Sequence, residues 1–77
     1  MPRLTPIHFR TFCQILEKTG CVYQRQEGDH LIYHKKGASR AIVIPCYKEL
    51  PIFVIQNNLK VAGISRKDYF RLLSKKK

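Results

Sequence analysis

Three short runs of β-forming residues, each parted from the next by a turn-sized, glycine-bearing segment, constrain this chain more than any other feature. Cys21–Gln26 is followed by Glu27-Gly28-Asp29, His30–Lys35 by Lys36-Gly37-Ala38-Ser39, and Arg40–Ile44 ends at Pro45. Breaks of that length close hairpins, so the runs predict an antiparallel three-stranded meander. On both sides of it the apolar period changes to that of a helix. Phe9, Phe12, Cys13 and Leu16 recur at i, i+3, i+4 and i+7, with Arg10, Gln14, Glu17 and Lys18 opposite them. Thr5 as N-cap, Pro6 at the first helical position and Gly20 as a left-handed stop bound this helix at about residues 6–19.

Beyond Pro51, the residues Ile52, Ile55, Leu59 and Ala62 share one face, and Gly63 ends the helix. The apolar Ile52–Ile55 run is expected to be core. Ser65 with Asp68 forms a capping pair that opens a short last helix carrying Tyr69, Phe70 and Leu73. The order α-β-β-β-α plus a terminal helix predicts an α+β fold. One antiparallel sheet with helices packed on one face buries every apolar stripe and leaves the other face to solvent or a partner. No repeat or linker divides the chain, so residues 1–77 are expected to be one domain with a core of about 5–73 and a disordered tail over 74–77.

Composition narrows the classes of function. With 44% apolar residues in 77, the chain can build one core, but a domain this small buries only about 60% of its unfolded surface and leaves little room for an internal cavity. Fifteen Lys and Arg against five Asp and Glu give a net charge of +10, which attracts polyanions: nucleic acid, an acidic protein or an anionic surface. No run approaches the ~20 apolar residues of a membrane span, and Met1-Pro2-Arg3-Leu4-Thr5-Pro6 has no apolar signal core. Cys13, Cys21 and Cys46 are odd in number and widely spaced, without a C-x-x-C pair. They read as buried free thiols of a cytoplasmic protein rather than a disulfide framework or a zinc module.

The chemistry-bearing residues cluster on the second strand. In His30-Leu31-Ile32-Tyr33-His34 the side chains alternate, so His30, Ile32 and His34 share one face and Leu31 and Tyr33 the other. His30 opens the strand just past a turn. Imidazole ordinarily titrates near ~6.5 and can give or take a proton at neutral pH. His8 reads as a solvated helix residue, and His34 as a supporting or RNA-contacting side chain. No acidic or cysteine partner stands at ligand spacing from His30 and His34, so neither a metal nor a cofactor is expected. Ser39, Ser65 and Ser74 sit in turn, cap and tail contexts, and Gly28 and Gly37 belong to turns rather than a phosphate-cradling loop. Arg25, Lys35, Lys36, Arg40 and Lys48 lie along or beside the meander, where neutralising phosphates suits their charge. Tyr23, Tyr33 and Tyr47 are of a type that stacks on bases or packs with the hydroxyl at the rim.

Four stretches, in order, resemble the HicA toxin family, the YcfA-like small mRNA interferases. Gly28-Asp29-His30-Leu31-Ile32-Tyr33-His34 is similar to the family's G-[SGD]-H-x-x-[YF]-x-H element. Arg40-Ala41-Ile42-Val43-Ile44-Pro45 resembles its strand running into a proline. Glu49-Leu50-Pro51 and then Leu59-Lys60-Val61-Ala62-Gly63-Ile64-Ser65 look like its E-L-P and I-L-[KR]-x-A-G-[IL]-[ST] ending. Lys18-Thr19-Gly20-Cys21-Val22 is like the end of its first helix. The Ile52-Phe53-Val54-Ile55 segment is more apolar than the corresponding start in relatives.

The resemblance implies a dsRBD-like α-β-β-β-α fold, endoribonuclease action on mRNA, and neutralisation by a HicB-type antitoxin through which oligomers would form. It carries over one catalytic residue, His30. On that basis His30 is the expected general base or acid of a metal-independent cleavage. Lys35, Lys36, Arg40, Lys48 and Arg25 are the expected RNA-binding cations, and His34 or Tyr33 the supporting proton-transfer group. Two other readings share the element order and charge: a non-catalytic double-stranded RNA-binding domain, and an interaction module for an acidic partner.

Overall fold

The strands form where the turn residues dictate. In the computed structural model, which describes residues 3–75, β1 (Val22–Glu27), β2 (His30–His34) and β3 (Ile42–Pro45) make one antiparallel sheet in the order β1-β2-β3. Gly28 closes the first hairpin at φ 59°, a left-handed backbone that glycine adopts without a Cβ penalty. Tyr33 pairs with Ile42 and Leu31 with Ile44, whereas Ile32 pairs with Val43 and His30 with Pro45. The two sets point to opposite faces. Ile42 and Ile44 are fully buried and Tyr33 nearly so, which makes theirs the core face. A bulge between Tyr23 and Arg25 shifts the register of the β1–β2 pair.

The helices α1 (Phe9–Lys18) and α2 (Ile52–Ala62) pack on that core face, and α3 (Arg66–Lys75) packs against α1. From α1 come Phe12, Cys13, Ile15 and Leu16, from α2 Ile55, Leu59 and Ala62, and from α3 Tyr69. Each large apolar side chain fully removed from water contributes ~1.5–3 kcal/mol, so these stripes hold the helices to the sheet. Gly63 ends α2 at φ 72°, and Ser65 Oγ accepts from the Asp68 amide at 3.1 Å to open α3. The α-β-β-β-α-α order and the open sheet agree with the sequence expectation. The helix α3 continues through Lys75, past the expected onset of the tail at 74, and residues 76 and 77 lie outside the described residues.

Two local expectations need correction. The first helix begins at Phe9 and not at Pro6. Its N-cap is His8, whose Nδ1 accepts from the Arg10 amide at 3.1 Å, rather than Thr5. The reason is tertiary: the Leu50 amide donates to the Ile7 carbonyl at 2.7 Å and the Phe9 amide to the Tyr47 carbonyl at 3.2 Å. This holds the segment before α1 against the β3–α2 link. The run Ile52–Ile55 is also not uniformly core, because Ile55 is buried while Ile52 is 39% and Phe53 71% exposed.

Asn58, by contrast, is buried on the inner side of α2 and donates from Nδ2 to the Val43 carbonyl at 3.1 Å. The bond sews α2 to β3. Asn58→Ala is expected to cost about 1–2 kcal/mol through the lost bond and the Val43 carbonyl left unpaired. A urea unfolding series measures this, and an unchanged midpoint would show that the bond contributes nothing.

Candidate functional site

His30 opens β2 immediately after the Gly28-Asp29 turn, and its pairing with Pro45 sets its side chain on the face away from the helices. The turn is tied down, since the Cys46 amide donates to the Asp29 carbonyl at 2.8 Å. Beside this face, α2 overhangs the sheet at β3. Its flank, with Phe53, Val54, Asn57 and Val61, joins the outer residues Val43, Pro45 and His30 and the Arg40-Ala41 segment to enclose an open concavity of about 570 Å³. His30 and Arg40, far apart in sequence, thus line the same hollow.

The direction of α2 decides which residues are level with His30. Lys35, just past the end of β2, donates from Nζ to the Ala62 carbonyl at 2.8 Å, and Asn58 reaches Val43. The C-terminal end of α2 therefore lies toward the start of β3, and its N-terminal end toward Pro45. Five residues of helix from Asn58 back to Phe53 cover ~7.5 Å, and two residues of strand from Val43 to Pro45 cover ~7 Å. Phe53 stands level with the Pro45–His30 pair. Arg40 reaches back along the hollow, its Nη2 donating to Asn57 Oδ1 at 3.5 Å. Asn57 adjoins Asn58, which marks the level of Val43, and Val43 pairs with Ile32, so the guanidinium lies ~7 Å along the sheet from His30 and as far from His34.

The other expected residues divide. Lys35 is bound to the carbonyl end of α2, where its charge complements the helix dipole and its ammonium holds the fold. Lys36 is exposed in the β2–β3 turn, and Lys48 is exposed in the link after β3, near the His30 end of the sheet. Arg25 is paired with Glu27, both exposed, a contact worth ~0–1 kcal/mol. His34 shares the outer face with His30 but sits four residues along β2, ~13 Å away. Tyr33 points to the core face and its hydroxyl donates to the Glu17 carboxylate at 2.8 Å. Burial first, and then this bond, push its phenol well above the ordinary tyrosine range. The structure therefore places His30 and Arg40 on the lining of one hollow, to which His34 does not contribute, and turns Tyr33 to the opposite face.

Three residues of the site went unmarked in the sequence reading. Glu27 lies directly opposite His30 across the β1–β2 pair, a neighbour that the two-residue hairpin loop Gly28-Asp29 already encodes. Asn57, which orients Arg40, has no local signal. Phe53 was absorbed into an apolar run. Among the described residues no three His, Cys, Asp or Glu side chains gather as a metal-binding group, and no helix is long and apolar enough to cross a membrane. Cys13, Cys21 and Cys46 are free, and burial raises the Cys13 thiol above its ordinary value.

A family model described as HicA toxin of bacterial toxin-antitoxin matches residues 9–64. The matched span runs from the start of α1 to just past Gly63 and contains the whole of the His30 concavity. No curated protein matched the chain.

Proposed function

The chain belongs to the HicA toxin family of bacterial toxin–antitoxin systems, and from that membership we propose that it is an mRNA-cleaving endoribonuclease with His30 as its catalytic histidine. The observation that carries this reading is the shared concavity. His30 is an exposed imidazole on the sheet face that the helices leave uncovered, and Arg40 projects a guanidinium into the same hollow. A proton-transfer group and a cation lining one hollow suit attack of a ribose 2′-hydroxyl on the adjacent phosphate.

In this mechanism the 2′-oxygen forms a bond to phosphorus while the bond to the 5′-oxygen breaks. His30 takes the proton from the 2′-hydroxyl or delivers one to the leaving 5′-oxygen. The products are a 2′,3′-cyclic phosphate and a 5′-hydroxyl. Arg40 stabilises the charge on the phosphates, with Lys36 and Lys48 steering the strand toward the site. Lys35 and Arg25, each already engaged within the fold, have a lesser part in RNA binding. Water completes the second proton transfer, since neither His34 nor Tyr33 adjoins His30.

Membership of a toxin–antitoxin family implies an antitoxin partner. We assign that role to a HicB-type protein of acidic character that covers the outer sheet face, complementing the +10 charge of the chain. Purified protein is expected to cut RNA equally well with and without EDTA, leaving 2′,3′-cyclic phosphate ends detectable by mass spectrometry. Loss of cleavage in the chelator, restored by a divalent cation, would overturn the metal-independent reading.

A further inference from the structure

Among the described residues Phe53 is the most exposed of the large apolar side chains, at 71%, and the core makes no use of it. Ile55, Leu59 and Ala62 already hold α2 in the core. Its ring is nevertheless level with His30 and lines the same hollow, whose floor and wall carry the apolar side chains Val43, Pro45 and Val54. Val43 is itself 40% exposed there. An aromatic and an apolar floor thus adjoin an imidazole and a guanidinium.

A duplex has no group to offer such a surface. Its base faces are stacked inside, and it presents phosphates, riboses and base edges. A single strand exposes base faces, which stack on aromatic side chains while cations follow the phosphates. The hollow, at about 570 Å³, falls in the ~300–1,000 Å³ range of sites that enclose one small ligand. We infer that the concavity seats one unstacked nucleobase of single-stranded RNA against Phe53, with Arg40 on a neighbouring phosphate. The substrate class is then single-stranded RNA and not duplex. This inference rests on the RNA-cleaving reading above and adds to it a base-binding subsite beside His30.

The test uses the full chain and a fluorescein-labelled, mixed-sequence RNA of twelve nucleotides. Every 2′-hydroxyl is replaced by fluorine, so the strand binds without being cut, and the same probe annealed to its complement supplies the duplex. Phe53→Ala is expected to weaken single-strand binding by anisotropy by about 5–150-fold, equivalent to ~1–3 kcal/mol, and to leave duplex binding unchanged. Circular dichroism confirms that this exposed substitution keeps the fold.

The chain has no tryptophan, so Phe53→Trp supplies a single reporter, expected to be quenched by the single strand and not by the duplex. His30→Ala in that background is expected to keep the quench while losing cleavage of unmodified RNA. Single-strand binding that ignores Phe53→Ala, or equal quenching by duplex, overturns the base-binding subsite alone, provided cleavage persists. Absence of both binding and cleavage overturns the subsite and the ribonuclease reading together.

Discussion

His30→Ala is expected to slow RNA cleavage by a factor on the order of 10²–10⁴, the contribution of a positioned proton-transfer group, while leaving the thermal midpoint within about 4 °C. The two halves of that expectation have separate physical grounds. The imidazole is exposed on the outer face and makes no hydrogen bond within the fold among the described residues. Surface substitutions of this kind usually shift stability by less than ~0.5 kcal/mol. Catalysis, in contrast, loses its only imidazole in the hollow, because His34 is ~13 Å away along the strand and Tyr33 faces the core, bonded to Glu17.

Induced expression in a host lacking the antitoxin gives the cellular form of the experiment. The wild type is expected to arrest growth and deplete full-length mRNA, and His30→Ala to do neither. A variant that still cuts RNA at the wild-type rate would remove His30 from the mechanism. Two proteins that bind RNA equally and cut none would leave a binding domain in place of an enzyme.

Phe12→Ala has the largest expected effect on stability. Phe12 is fully buried at the meeting of α1 and α3, its ring 6.1 Å from that of Tyr69. Truncating a buried phenylalanine costs ~3–5 kcal/mol in lost transfer energy and residual cavity. A small domain has ~5–15 kcal/mol in all, so the variant is expected to lose between about a fifth and all of its stability. At ~4–8 °C per kcal/mol for a domain of this size, the thermal midpoint falls on the order of 20 °C. Calorimetry measures it, and a drop of only a few degrees would mean that the core collapses readily around the vacancy. Activity should fall with the folded fraction, unlike that of His30→Ala, which loses activity at full stability. Comparing the two variants separates a site residue from a scaffold residue.

The sheet was legible because its signals are local. Gly28 and Gly37 punctuate the β-forming runs, and the alternation through His30-Leu31-Ile32-Tyr33-His34 predicts the faces later seen in the pairing of Leu31 with Ile44 and His30 with Pro45. The helical stripes were legible for the same reason, as Phe12, Cys13 and Leu16 show by their burial. The start of α1 was not. Thr5-Pro6 is a sound local cap signal, and it yields to a bridge between Ile7 and Leu50 across 43 positions of sequence. Asn58 was illegible because a polar residue inside a helix gives no sign of a carbonyl waiting on another element.

The sequence by itself determined the order of elements, the faces of the central strand and the family, because those depend on spacing within a few residues and on motifs in register. Only the tertiary structure decided the composition of the hollow. Placing Arg40, Phe53 and Asn57 beside His30 depends on how α2 overhangs β3, and that angle is set by contacts such as Asn58 to Val43 and Lys35 to Ala62. It also decided that Lys35 is engaged, since its partner at Ala62 is one that no local rule assigns to it. Periodicity specifies which face of an element is apolar. The position of one element against another follows from packing and long-range hydrogen bonds, which join residues that sequence spacing keeps apart.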